Sequence, residues 1–189
     1  MTSLQQANEA RSAKRHKTES IKDAFSASEA WERLIGYAQS GYASITEDDK
    51  DFVLKSFGVF DRPATPERFM LRIRIAGGSL NVAQARAVAY ASKTFGQDYI
   101  DLTTRQQIEL RYLRIEDLPE LLRLLESVGL TGYQTGVDNF RNILLDPLDG
   151  LAEDNLIECR AIMEEIQSVF LKQDEWLTTL PRKFNIGIN

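Results

Sequence analysis

The chain has 189 residues, of which 43% are hydrophobic and 27% charged, with a formal net charge of −5. That length suits one domain with extensions, at about 100–200 residues per domain, and the composition is that of a chain able to bury a core. The acidic balance argues against a general affinity for nucleic acid. No apolar run approaches the roughly 20 residues that cross a bilayer, and the first residues lack the apolar stretch of a secretory signal; the expectation is a cytoplasmic protein with no membrane partner. One cysteine, Cys159, and one histidine, His16, exclude an intramolecular disulfide. They cannot supply the roughly four ligands of a zinc site or iron–sulfur cluster.

Residues 1–26 are polar and carry the basic patch Arg11, Lys14, Arg15 and Lys17, the pattern of a solvated, flexible tail. Residues 27–60 read as a helical extension. Trp31, Leu34, Ile35 and Ala38 recur at helical spacing after Ser28, a plausible cap, and Thr46 with the acids behind it opens a second helix that Gly58 ends. The prolines Pro63 and Pro66 mark a loop. From Phe69 to Ala76 the chain alternates, with Phe69, Leu71, Ile73 and Ile75 on one face and Met70, Arg72 and Arg74 on the other. Gly77-Gly78 breaks this strand. A helix follows over about 82–95, closed by Gly96. Then come an extended run over 99–103, a strand over 107–113, and a helix over about 118–128 with Asp117 as its cap and Pro119 in its first turn. The order β-α-β-β-α predicts an α+β fold with helices on one face of a sheet. An amphipathic helix is expected over 153–171, with Cys159 inside it as a structural thiol. The chain closes on Phe184-Asn-Ile-Gly-Ile-Asn, a strand still in progress, which suggests a fragment of something longer.

No Ser/His/Asp arrangement and no phosphate loop of the GxxxxGK kind is present. The residues that stand out are cations at element ends and on one strand face: Arg72, Arg74, Arg105 after Thr103-Thr104, Arg141 within Asp138-Asn-Phe-Arg-Asn, Arg182 and Lys183. A guanidinium offers a planar fork to carboxylates and oxyanions. If these groups converge they form a pocket for an anion or a polycarboxylate. The bland alternative, a solvated strand face for Arg72 and Arg74 and a turn cap for Arg105, stays open on spacing alone.

Five segments taken in order resemble the nitrite/sulfite reductase family, whose members use sirohaem and a [4Fe–4S] cluster. They are Phe69-Met-Leu-Arg-Ile-Arg-Ile-Ala-Gly-Gly, Leu102-Thr-Thr-Arg-Gln, Val128-Gly-Leu-Thr, Asp138-Asn-Phe-Arg-Asn-Ile and Leu180-Pro-Arg-Lys-Phe-Asn-Ile. The resemblance runs from about residue 46 to the end. It implies a ferredoxin-like half-domain over 61–135 and the beginning of the sirohaem/[4Fe–4S] domain over 136–189. Arg72, Arg141 and Lys183 match positions that hold the substrate oxyanion. Arg105 and Arg182 match positions that pair with sirohaem carboxylates, with Thr103, Thr104 and Gln106 nearby. Asn185 stands where nitrite reductases tend to have Asn and sulfite reductases Lys; nitrite carries the smaller charge, so nitrite is the expected substrate and sulfite the alternative. The chain departs from the family pattern at Tyr112, where Gly is common, at Glu109, where Gln is common, and at Leu144-Leu-Asp-Pro. The resemblance further implies six-electron reduction of nitrite to ammonia, an electron donor such as ferredoxin or NAD(P)H, cluster cysteines outside this sequence, a monomer, and no activity from this chain by itself. A precorrin-3B synthase-like protein and a non-catalytic anion-binding module are the other readings.

Overall fold

The structure, a computed structural model, describes residues 20–22, 25–173, 176–180 and 183–189. Helices α1 (Ala27–Ser40), α2 (Glu47–Asp51) and α3 (Val53–Ser56) lead into strands β1 (Val59–Asp61) and β2 (Phe69–Arg74). Helix α4 (Val82–Phe95), strands β3 (Ile100–Leu102) and β4 (Gln107–Leu113) and helix α5 (Leu118–Ser127) follow. Strand β5 (Asn142–Leu145), helix α6 (Arg160–Phe170) and strand β6 (Asn185–Ile188) complete the chain. His16, the basic patch of the tail, and Arg182 lie outside the described residues.

An antiparallel sheet of order β1-β2-β4-β3 forms the centre. The alternation of β2 places Phe69, Leu71 and Ile73 in one core with Ile108 and Leu110 of β4, Val88 and Ala91 of α4, Leu121 and Leu125 of α5, and Ala30 and Leu34 of α1. The α+β fold with helices on one sheet face is therefore built as the spacing predicts. Helix α4 matches its predicted span because both ends carry strong signals. Asn81 and Gln84 form a reciprocal capping box, and Gly96 stands just past the last turn.

Four local expectations are corrected. Ser26, not Ser28, caps α1; its hydroxyl accepts from the Glu29 amide, and Ser28 lies within the helix. Asp117 makes no side-chain cap, because a 3-10 turn over Ile115–Asp117 runs straight into α5. The last helix starts at Arg160 rather than 153, and the apolar Leu156 and Ile157 ahead of it are 97% and 66% exposed. Cys159 therefore sits at the entrance to α6, where its amide donates to the Asp149 carboxylate at 2.9 Å. Burial and the nearby Asp149 push its thiol up, away from the nucleophilic thiolate.

The far face of the sheet departs most from expectation. Met70, Arg74, Gln107 and Glu109 are 2%, 3%, 3% and 8% exposed, so this is no solvated surface. The stretch from Thr131 to Asn142 lies against it: the Arg74 amide donates to Thr131 O at 2.9 Å, and the side chains of Arg74 and Gln107 donate to backbone carbonyls of Phe140 and Arg141. Beyond it, β5 and β6 pair in parallel as a separate two-stranded sheet. A second core forms there from Phe140, Ile143, Leu145, Met163 and Leu180, with Phe140 stacked on Phe170 at 5.0 Å. One irregularity marks β4: its register against β2 shifts by one residue, and Tyr112 takes φ +61 at that bulge. A left-handed backbone explains why glycine suits this position.

Candidate functional site

The turn before β4 is built by one hydroxyl. Thr103 Oγ1 accepts from the amides of Arg105 at 3.3 Å and Gln107 at 3.1 Å, the local pattern that lets Thr replace a backbone turn. Gln106 is held at φ +52, while Thr104 and Arg105 face outward, exposed. The Gln106 side chain pairs both ways with the backbone of Leu145, Nε2 donating to the carbonyl at 2.7 Å and Oε1 accepting from the amide at 3.2 Å.

Asn142 ties this turn to the rest. Its buried Nδ2 lies within hydrogen-bond distance of three carbonyls: Arg105 O at 2.8 Å, Ile75 O at 3.0 Å and Gln106 O at 3.2 Å. In the β5–β6 pair, Asn142 stands opposite Asn185, and next to it the Arg141 amide donates to Phe184 O at 3.0 Å. Asn185 Nδ2 turns back to Lys183 O at 2.8 Å, with Lys183 at φ +63 and exposed. Arg105, Gln106, Arg141, Lys183 and Asn185, distant in sequence, thus meet at one junction of β4, β5 and β6. Asn142 was not expected among the site residues; its position inside Asn-Phe-Arg-Asn was the signal available.

Arg74 reaches the junction from β2 through the Arg141 carbonyl, while Arg72, two residues earlier on the strand, is bound to Glu109 and the Thr135 carbonyl. The Arg74 guanidinium is buried beside Phe140, its Nε donating to Arg141 O at 3.1 Å and its Nη2 to Phe140 O, with its centre 5.1 Å from the Phe140 ring. Burial pulls its pKa down to about 9, so it stays charged at neutral pH. Arg72 is held on several sides. Its Nε and Nη2 donate to Glu109 Oε1 at 3.3 and 3.2 Å, its Nη1 donates to Thr135 O at 3.3 Å, and it lies over the Phe60 ring at 4.6 Å. Glu109 also accepts from Arg111 Nη2 at 2.8 Å, and Arg111 Nε donates to Asp101 at 2.7 Å.

Several features mark the junction as prepared for something besides its own chain. Two non-glycine residues there, Gln106 and Lys183, take positive φ, a backbone state that costs of order 1–3 kcal/mol each and persists where the surroundings enforce it. Arg74 Nη1, Asn142 Oδ1 and Asn185 Oδ1 are buried with no hydrogen-bond partner among the described residues, although buried polar atoms are normally satisfied. No group of three His, Cys, Asp or Glu among the described residues could hold a metal ion.

Comparison with known proteins covers most of the chain. Residues 62–128 match the family described as Nitrite/Sulfite reductase ferredoxin-like half domain. The chain is 40% identical over 159 residues to the ferredoxin–nitrite reductase of Leptolyngbya laminosa, an alignment that covers 82% of this chain and 31% of that protein. It is 37% identical over 171 residues to the assimilatory ferredoxin-dependent nitrite reductase of Haloferax mediterranei, covering 83% of this chain and 29% of that protein. The fold is similar to the structure of the Mycobacterium tuberculosis NirA protein, with a TM-score of 0.80 and 27% identity, covering 89% of this chain and 34% of that one. The chain spans about a third of the length of the curated relatives it matches.

Proposed function

The chain belongs to the nitrite/sulfite reductase family, and from that premise we propose that it forms one wall of the site in which a sirohaem-dependent enzyme reduces nitrite to ammonia by six electrons. The observation that carries this reading is the Asn142 junction. A single buried amide gathers the Arg105–Gln106 turn, the Arg141 strand end and the Asn185 strand onto one edge.

The residues present suit sirohaem, a polycarboxylate tetrapyrrole. Arg105 is exposed at the end of a turn held by Thr103, with Thr104 and Gln106 beside it, and buried polar atoms at the same edge lack partners among the described residues. Arg105 would pair with sirohaem carboxylates, and Arg182, outside the described residues, is assigned the same role by sequence. When bound, sirohaem supplies the iron centre that carries electrons to the substrate. The chain's own residues do the rest. Arg72, Arg141 and Lys183 supply fixed cations for the oxyanion, and Asn185 offers an uncharged amide where a further cation would suit a dianion. This favours nitrite over sulfite. The residues do not suit a [4Fe–4S] cluster, which takes four thiolates, because Cys159 is this chain's only cysteine. Accordingly, the 189-residue chain alone is not expected to turn nitrite over. Ferredoxin is the electron donor that the similar relatives suggest, with NAD(P)H as the alternative, acting on a monomer in the cytoplasm.

The test is the visible spectrum of the full chain produced alongside abundant sirohaem, set against an Arg105→Ala, Arg182→Ala double variant. Chromophore that copurifies with the wild type and is lost from the variant supports the tetrapyrrole wall. Equal chromophore in both would remove these arginines from it.

A further inference from the structure

We propose that Glu109 is a specificity-determining residue, one that cancels the charge of Arg72 and so tunes the site to a singly charged oxyanion over a doubly charged one. The inference rests on the reading that places the anion at Arg72.

The geometry is an ion-pair ladder across three strands. Arg72 of β2 gives two N–H groups to one oxygen of Glu109, Arg111 gives one to the other oxygen, and Arg111 turns its Nε to Asp101 of β3. Two guanidinia and two carboxylates leave the ladder with no net charge. The polar groups facing Glu109 are therefore Arg72 from β2 and Arg111 from its own strand, with Asp101 behind Arg111 on β3 and the Thr135 carbonyl on Arg72 from the covering segment. Glu109 is 8% exposed, so its charge is poorly screened by water. Its bonds and the one to Thr135 O occupy three of the five N–H donors of Arg72, which leaves donors for an oxyanion while the carboxylate stays in place. An anion docked there meets an attractive guanidinium and a repulsive carboxylate a few ångströms further on. Repulsion grows with the charge of the anion, so a dianion loses about twice as much as a monoanion. A unit charge about 6 Å away, in a medium of effective dielectric about 20 and discounted for salt, changes affinity on the order of tenfold.

The experiment uses the full chain with labelled arginine, following the Arg72 side-chain N–H resonance during titration with sodium nitrite and with sodium sulfite at constant ionic strength. Glu109→Gln is expected to tighten both anions and to move the ratio of their dissociation constants toward sulfite by roughly tenfold. Glu109→Asp, which keeps the charge, is expected to leave the ratio near the wild-type value. A ratio unmoved in Glu109→Gln, or moved as far in Glu109→Asp as in Glu109→Gln, overturns the inference. Arg72→Gln separates it from the reading beneath: if neither anion weakens in that variant, or neither binds the wild type, the placing of the anion at Arg72 fails as well.

Discussion

Gly132 lies where the segment covering the sheet passes beneath the end of α3, and replacing it with alanine gives a sharp test of how closely those layers are packed. A Cβ there would stand 2.4 Å from the carbonyl oxygen of Phe57, 2.8 Å from Leu71 Cδ1 and 2.9 Å from the carbonyl oxygen of Arg72. Two of these atoms are backbone and cannot rotate away. Ordinary contact would require a shift of about 1 Å in a segment that fixes Arg72, and overpacking a tight core costs typically 1–3 kcal/mol, occasionally more. About 3 kcal/mol is expected at this site. At roughly 2–4 °C per kcal/mol for a chain of this size, the melting temperature should fall by about 6–12 °C. Gly36→Ala is the internal control. Gly36 sits within α1 with nothing within 4 Å of the added Cβ, so alanine should stabilise by about 0.5–1 kcal/mol. Thermal melts of the full chain followed by far-ultraviolet circular dichroism read both. A Gly132→Ala chain that melts within about 2 °C of the wild type would refute the packing argument.

Two further outcomes are expected. Asn142→Leu removes the buried amide that serves the carbonyls of Ile75, Arg105 and Gln106; urea unfolding should show a loss of about 2–4 kcal/mol, and amide exchange should quicken first at the Thr103–Gln107 turn. A loss under about 1 kcal/mol would mean that this side chain does not hold the junction. Burial, with the hydrogen bond to Asp49 second, holds Tyr37 above its ordinary pKa of 10.0. The folded state therefore keeps a proton that the unfolded state releases, so stability is full below pH 10 and declines as pH rises through the folded value. Tyr37→Phe should flatten that decline in melts taken above pH 10, and an unchanged slope would assign it to other groups.

The sequence by itself determined the elements whose signals are local. Helix α4 lies between its capping box and Gly96, and the core face of β2 follows from its alternation of apolar and polar residues. Each of these is decided by contacts within a few residues or by which face must leave water. Five motifs in register also single out Arg72, Arg105, Arg141 and Lys183 as candidate cations without reference to shape. Tertiary structure alone decided what those cations touch. Alternation puts Arg72 and Arg74 on the polar face of β2, but whether that face meets water depends on a segment some 60 residues later in the chain, and there Arg74 is 3% exposed against the carbonyls of Phe140 and Arg141. Asn142 and Glu109 gained their roles in the same way. An amide or a carboxylate has no preferred partner in sequence, and only the register of β2 on β4 and of β5 on β6 brings Asn142 to three carbonyls and Glu109 to two guanidinia. The helix expected over 153–171 begins instead at Arg160, and Leu156 and Ile157 ahead of it stay outside the second core that α6 joins through Met163 and Phe170. Apolar periodicity can propose such a helix, but the core it must face is assembled from residues far along the chain.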